Sequence, residues 1–160
     1  DRTALIADFK KRLPPEVLKK GVPSEGRAVF EKTCASCHRL FDAGKAIGPE
    51  LTGSQRRNLD YVLSNLLDPN AVIGRDYRMT VVVTDGGRVV TGIVREENSQ
   101  TLTLQTANDL VIVPKNEIDV RKQSPVSMMP EGMLQKMKPN EVRDLLKYLA
   151  LDEQVSLPAD

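Results

Sequence analysis

Cys34-Ala35-Ser36-Cys37-His38 is the stretch from which the rest of the chain is read. Both cysteines and the only histidine of the 160 residues lie inside it. Scattered at random, these three residues would fall into this order in about one chain in 10⁴ by simple counting. C-x-x-C-H is the spacing of c-type haem attachment. The two thiols add to the two haem vinyl groups, and the adjacent histidine is placed under the iron, its second ring nitrogen held by an acceptor. The competing chemistries fit less well. A redox dithiol or a Cys34–Cys37 disulfide uses the same C-x-x-C, but that motif belongs at a strand-to-helix junction of a βαβ unit, and no such unit is visible. Structural zinc takes four ligands, and no further Cys or His exists to complete a set.

Upstream, Ser24 is placed to cap a helix running to about Thr33. Gly26 and Phe30 share one face of it, and a glycine inside a helix marks a close crossing. Residues 1–21 are basic and interrupted by Pro14-Pro15, which reads as a peripheral arm or linker with one short helix over Ala4–Leu13. Downstream lies a Gly-Pro loop, 42–49. Leu59, Val62, Leu63 and Leu66 then fall at i, i+3, i+4 and i+7, and Asp68-Pro69 ends that helix.

The period then changes. Tyr77, Met79, Val81 and Val83 alternate as a strand does, and Asp85-Gly86-Gly87 is a turn. Further strands are expected over Arg88–Arg95, Thr101–Gln105, Leu110–Val113 and about Glu117–Lys122. Short strands with tight turns read as a small antiparallel barrel inserted over 75–124. Helical period returns with Val142, Leu145, Leu146 and Leu149, with Pro139 near the start. Residues 153–160 are left as a tail.

Composition agrees with a globular protein. Apolar residues make up 40% and charged residues 28%, and the formal net charge of +1 gives no global field for nucleic acid or a membrane surface. No apolar run reaches the length of a membrane span. There is no Trp and there are only six aromatic residues, a deficit of large apolar surface that a haem would fill.

Three stretches, Gly26–His38, Ile47-Gly48-Pro49-Glu50-Leu51-Thr52-Gly53 and Ser127-Met128-Met129-Pro130-Glu131-Gly132-Met133, resemble class I cytochromes c. Over about 22–151, including Leu67-Asp68-Pro69-Asn70, the chain is similar to the haem-binding C-terminal domain of large membrane-bound dehydrogenases of planctomycetes and verrucomicrobia. The resemblance implies a mainly α cytochrome c fold, over 22–74 and 125–152, carrying the inserted β-barrel (α+β overall). It implies one covalent haem c on Cys34 and Cys37 with His38 as proximal ligand. It also implies that Pro49 offers its carbonyl to His38 Nδ1–H, that Gly26 packs near Tyr148, and that Arg56 or Arg57 pairs with a haem propionate. Lys138 departs from the Ser or Thr cap usual before Pro139.

No second histidine exists, so the sixth ligand is sought among Met79, Met128, Met129, Met133 and Met137. Met79 fits a buried strand, and Met133 and Met137 fit a helix face. Met128 and Met129 lie in the loop where class I cytochromes carry the ligand, and the Met129-Pro130 step matches that pattern. Lys136 and Lys138 are further alternatives. The expected function is single-electron transfer in the periplasm or another extracytoplasmic compartment, without enzymatic activity of its own, between a fused or associated dehydrogenase and a downstream acceptor. The alternatives are a gas-binding haem sensor, and a partner- or glycan-binding barrel with the haem as a staple. A thioether ligand favours Fe(II) and closes the iron to gases, so the sixth ligand separates the carrier from the sensor.

Overall fold

The computed structural model describes all 160 residues, and the chain divides into two compact units, Asp1–Pro69 with Pro130–Asp160, and Asn70–Met129. In the first unit the helices are α1 (Thr3–Arg12), α2 (Pro15–Leu18), α3 (Pro23–Thr33), α4 (Leu59–Leu67) and α5 (Pro139–Leu149). A two-residue hairpin, β1 (Arg39–Leu40) and β2 (Ala43–Gly44), follows the cysteine motif.

The crossing of α3 and α5 organises this unit. A Cβ on Gly26 would overlap the Asp144 carbonyl oxygen and stand 2.6 Å from Tyr148 Cβ, so only glycine lets the two backbones meet. Phe30, one turn further on, sets its ring 5.6 Å from that of Tyr148. The Asp144 carboxylate, 4% exposed, is compensated by the Val22 amide at 2.9 Å and by Arg143. Leu63 and Leu67 of α4 and Leu145 of α5 are fully buried, each contributing about 2 kcal/mol of transfer free energy.

Two helix starts differ from the sequence reading. Pro23, not Ser24, opens α3: the N-cap is Val22, without a side-chain cap, and proline at the first position is preset for a helix. At α5 the departure at Lys138 is offset by Glu141, whose carboxylate accepts from the Lys138 amide at 2.9 Å. The segment read as a peripheral arm carries α1 and α2 and buries Phe9 and Leu13. Arg12 lies over the Phe9 ring, and α1 packs on α4, where Lys10 pairs with Asp60.

The second unit begins and ends outside the 75–124 taken from periodicity. It holds β3 (Met79–Thr84), β4 (Val89–Glu97), β5 (Thr101–Gln105), β6 (Leu110–Pro114) and β7 (Ile118–Gln123). All pairs are antiparallel, in the order β6-β5-β4-β3-β7. Val82, Val90, Leu102, Leu104 and Val113 form its core.

The expected mainly α fold with a closed barrel is overturned on both counts. The chain is 34% helix and 22% strand, and the sheet is open. A short 3-10 turn, Lys115–Glu117, carries the chain from β6 to the opposite edge, where β7 joins β3. β6 and β7 share no ladder, so the sheet keeps two free edges. Side chains draw the ends together instead. Glu97 accepts from both terminal nitrogens of Arg121, each at 2.9 Å, and pairs with Lys115 at 2.7 Å.

Two outcomes follow. Gly26→Ala is expected to cost about 2–3 kcal/mol in urea unfolding through overpacking at the crossing, while Gly86→Ala, whose Cβ meets nothing within 4 Å, stays near neutral. Arg121 and Lys115 hold the Glu97 carboxyl at about 2, below its ordinary 4.5. The stabilisation this brings is therefore present above about pH 4.5 and lost as the pH falls toward 2. Glu97→Gln should flatten that part of the stability–pH curve, and added salt should shrink the difference.

Candidate functional site

The cysteine motif forms where α3 ends. Cys34 is the C-cap of α3, its amide bonded to the Phe30 carbonyl at 2.7 Å. One more turn follows: the amides of Cys37 and His38 both donate to the Cys34 carbonyl, at 3.1 and 2.9 Å. Cys34, Cys37 and His38 are thereby gathered on a single turn, each half-buried, with both cysteines free.

The loop beyond the hairpin is laced back onto that turn. Lys45 N–H donates to the Ala35 carbonyl at 2.9 Å, and the amides of Ile47 and Gly48 donate to the Cys37 carbonyl at 3.1 and 2.7 Å. This brings Pro49 to His38: Nδ1 lies 2.8 Å from the Pro49 carbonyl oxygen. A carbonyl only accepts, so Nδ1 carries the proton and Nε2 keeps a lone pair for a metal. Gly48 lies against the ring. A Cβ there would stand 2.8 Å from His38 Cε1 and 3.1 Å from Nδ1. Gly44, at φ +106°, lies against the His38 carbonyl in a conformation that favours glycine.

The Cys34 thiol is not set up for disulfide exchange. Burial pushes the Cys34 thiol up to about 12, and the neighbouring Cys37 adds to the rise. A redox dithiol needs the opposite, a thiolate stabilised at a helix N-terminus. Here Cys34 lies at a C-terminus, where the helix dipole disfavours negative charge. No group of three or more His, Cys, Asp or Glu could hold a metal ion, so structural zinc has no cage. Two free thiols and an imidazole with Nδ1 spoken for and Nε2 open, with Gly48 leaving room along the ring, fit the attachment of a covalent haem.

Arg56 and Arg57, expected beside a haem propionate, direct their donors to backbone carbonyls at the end of α5. Arg56 donates to the carbonyls of Leu149 and Leu151, at 2.5 and 2.6 Å, and to that of Thr52. Arg57 donates to Ala150 at 3.1 Å and pairs with Asp152. Both cap the C-terminal end of α5. Met129 lies in the second unit, half-buried, its amide donating to Ser127 Oγ at 3.1 Å while the Ser127 amide donates to Asn70 Oδ1 at 2.7 Å.

Residues 23–79 match the Cytochrome c family model. The match spans α3, the cysteine turn, the Gly48-Pro49 loop and α4, and it supports a c-type cytochrome, with covalent haem c and electron transfer as its chemistry. Residues 125–152, expected to complete a cytochrome c domain, lie outside it. No curated protein matches the chain.

Three contributors were not singled out from the sequence. Gly44 has no signature beyond being a glycine in a loop. Phe41 adopts φ 58°, which nothing in its residue type foretells. Thr52 accepts from the Phe41 amide at 2.7 Å, a partnership across eleven positions.

Crowding by one methyl group tests the ring's setting. Gly48→Ala is expected to cost about 1–3 kcal/mol and to move the imidazole, shifting the His38 Cε1–H resonance. Gly53→Ala, whose Cβ meets nothing within 4 Å, should leave both unchanged.

Proposed function

We propose that the chain is a monohaem c-type cytochrome that passes single electrons between a dehydrogenase and a downstream acceptor. One observation carries the reading: the His38 imidazole, with Nδ1 committed to Pro49 at 2.8 Å and Nε2 free, sits on the same turn as two unpaired thiols. Cys34 and Cys37 would hold the haem through thioethers, with His38 as proximal ligand; the bound haem would supply one-electron exchange at its iron. The chain's own contribution is to orient the imidazole. Pro49 fixes its tautomer and ring orientation, and the amides of Ile47 and Gly48 keep the loop in place.

Met129 is proposed as the sixth ligand. It precedes Pro130, which biases its backbone toward an extended conformation, and its amide is tied to Ser127. Met128 shares the loop but not the step to proline. A methionine ligand favours Fe(II) and denies oxygen and carbon monoxide a binding position, which supports a carrier over a sensor.

The dehydrogenase partner is inferred from the resemblance to C-terminal haem domains of membrane-bound dehydrogenases. An extracytoplasmic location rests on the family, whose domains are typically found there. No helix is long and apolar enough to cross a membrane.

Protein matured in a periplasm competent for haem attachment should be coloured and keep its haem through acid-acetone extraction. Cys34→Ala and Cys37→Ala should each lose one thioether by mass spectrometry. The oxidised protein should show the weak red band of a Met–Fe(III) bond, abolished by Met129→Ala and kept by Met128→Ala. Bare polypeptide with free thiols would overturn the proposal. Tight carbon monoxide binding by the wild-type ferrous protein would overturn the carrier reading alone.

A further inference from the structure

Arg56 makes more structural contacts than a surface arginine needs. Its Nη1 donates to Leu149 O at 2.5 Å and to Leu151 O at 2.6 Å, and its Nε and Nη2 donate to Thr52 O at 3.2 and 2.9 Å. The same guanidinium lies over the Phe41 ring, 5.1 Å from its centroid. One planar fork therefore joins the end of α5, the loop at Thr52 and the hairpin at Phe41. Lysine has no geometry for this, being a point charge on a flexible stem.

The loop it grips is the one that carries Pro49. Thr52 Oγ1 accepts from the Phe41 amide and donates to the Glu50 carboxylate, while the Thr52 amide donates to Glu50 Oε1 at 3.0 Å. The Leu51 amide donates to the carbonyl of Arg39, the residue after His38, at 2.9 Å. So 49–52 is fastened on one side to the chain next to His38 and on the other to Arg56. Phe41 holds φ 58°, a left-handed conformation that is unfavourable for a non-glycine residue. Such a residue persists only where its surroundings over-determine it, and here the surroundings are Thr52, Arg56 and Tyr148, whose ring centroid is 6.3 Å away.

We propose that Arg56 is a positioning residue for the iron centre: by clamping Thr52 to the end of α5 it sets the His38–Pro49 hydrogen bond and, through it, the reduction potential. This rests on the proposed role of His38 as iron ligand. A firm Nδ1–H···O bond makes the imidazole more basic and favours Fe(III). Loosening the clamp weakens that bond and moves the couple toward Fe(II). Direct pairing of Arg56 with a propionate acts in the opposite sense, because removing a nearby positive charge favours Fe(III).

The test is a mediator-coupled redox titration of the holoprotein with Arg56→Gln, Arg56→Lys and Thr52→Val. Arg56→Lys and Thr52→Val are expected to shift the equilibrium toward Fe(II) by about threefold or more, and Arg56→Gln, which also loses the charge, to lie to the Fe(III) side of Arg56→Lys, with the haem still attached by mass spectrometry and faster solvent exchange of His38 Nδ1–H. Arg56→Lys keeps the charge and loses the fork, so its shift isolates geometry from charge. If Arg56→Gln does not accumulate as folded protein, Arg56→Lys decides, because Thr52→Val keeps the carbonyl that Arg56 grips and reads only the Phe41 and Glu50 side of the loop. A wild-type potential in Arg56→Lys, with only thermal stability reduced, would overturn the inference, and so would a shift of that variant toward Fe(III). A wild-type protein without haem would instead overturn the function on which it rests.

Discussion

The hydrogen bond from His38 Nδ1–H to the Pro49 carbonyl is the constraint around which residues 34–56 are arranged. An imidazole on a turn at a helix end is free to rotate and to exchange tautomers. Fixing it takes an acceptor that cannot itself move. Proline supplies one, because its ring locks φ, and the amides of Ile47 and Gly48 on the Cys37 carbonyl hold the approach to it. Gly48 is the steric counterpart of that bond: a side chain there would lie within contact of the same ring. The hairpin 39–44 exists to bring 47–49 back to the turn it left, and Gly44 and Phe41 both take left-handed backbone to make so short a return.

Much of this was legible because it is local. The five-residue motif needs no fold to be recognised, and the 3.6-residue stripes of α4 and α5 bury the residues they name except Leu59, which is half-buried. Gly26 was legible as a close crossing for the same reason, since a helix tolerates glycine at a cost it must recover by packing. Other features were decided by contacts that sequence distance hides. Ser24 is a better N-cap than Val22 by residue type, yet Pro23 at the first helical position and the Asp144 carboxylate on the Val22 amide move the start back. The basic arm looked solvated because its charges dominate its composition, while Phe9 and Leu13 fell outside any clear stripe. The two arginines were legible as a pair, but not that the carbonyls at the end of α5 would take their donors.

The open sheet shows what periodicity contains and what it omits. Alternation finds the strands but not every inward face: of the stripe Tyr77, Met79, Val81 and Val83 only Met79 is buried, Tyr77 lies in a 3-10 turn, and the core of Val82, Val90, Leu102, Leu104 and Val113 takes its β3 residue from the opposite face. It says nothing about whether the outermost strands meet. Closure depends on strand tilt and on the register carried through every pair, and here the register slips at Val83/Thr84 and again at Val94/Glu96. Those irregularities increase twist without completing a ladder between β6 and β7. The ion pairs of Glu97 with Arg121 and Lys115 gather the ends where backbone pairing does not, a weaker and salt-sensitive substitute.

The placement of the cysteines gives the last step. The same C-x-x-C supports disulfide exchange when its first thiol meets the positive end of a helix, and supports permanent attachment when it does not. In this chain α3 runs into Cys34 with its C-terminus, the thiol is partly buried and its ionisation is suppressed. A thiol in that setting is a poor redox catalyst and a poor ligand for zinc. The direction of one helix thus weighs between two chemistries that the spacing of the motif leaves open, and under the proposed function His38, next to Cys37, would give the attached group its metal ligand.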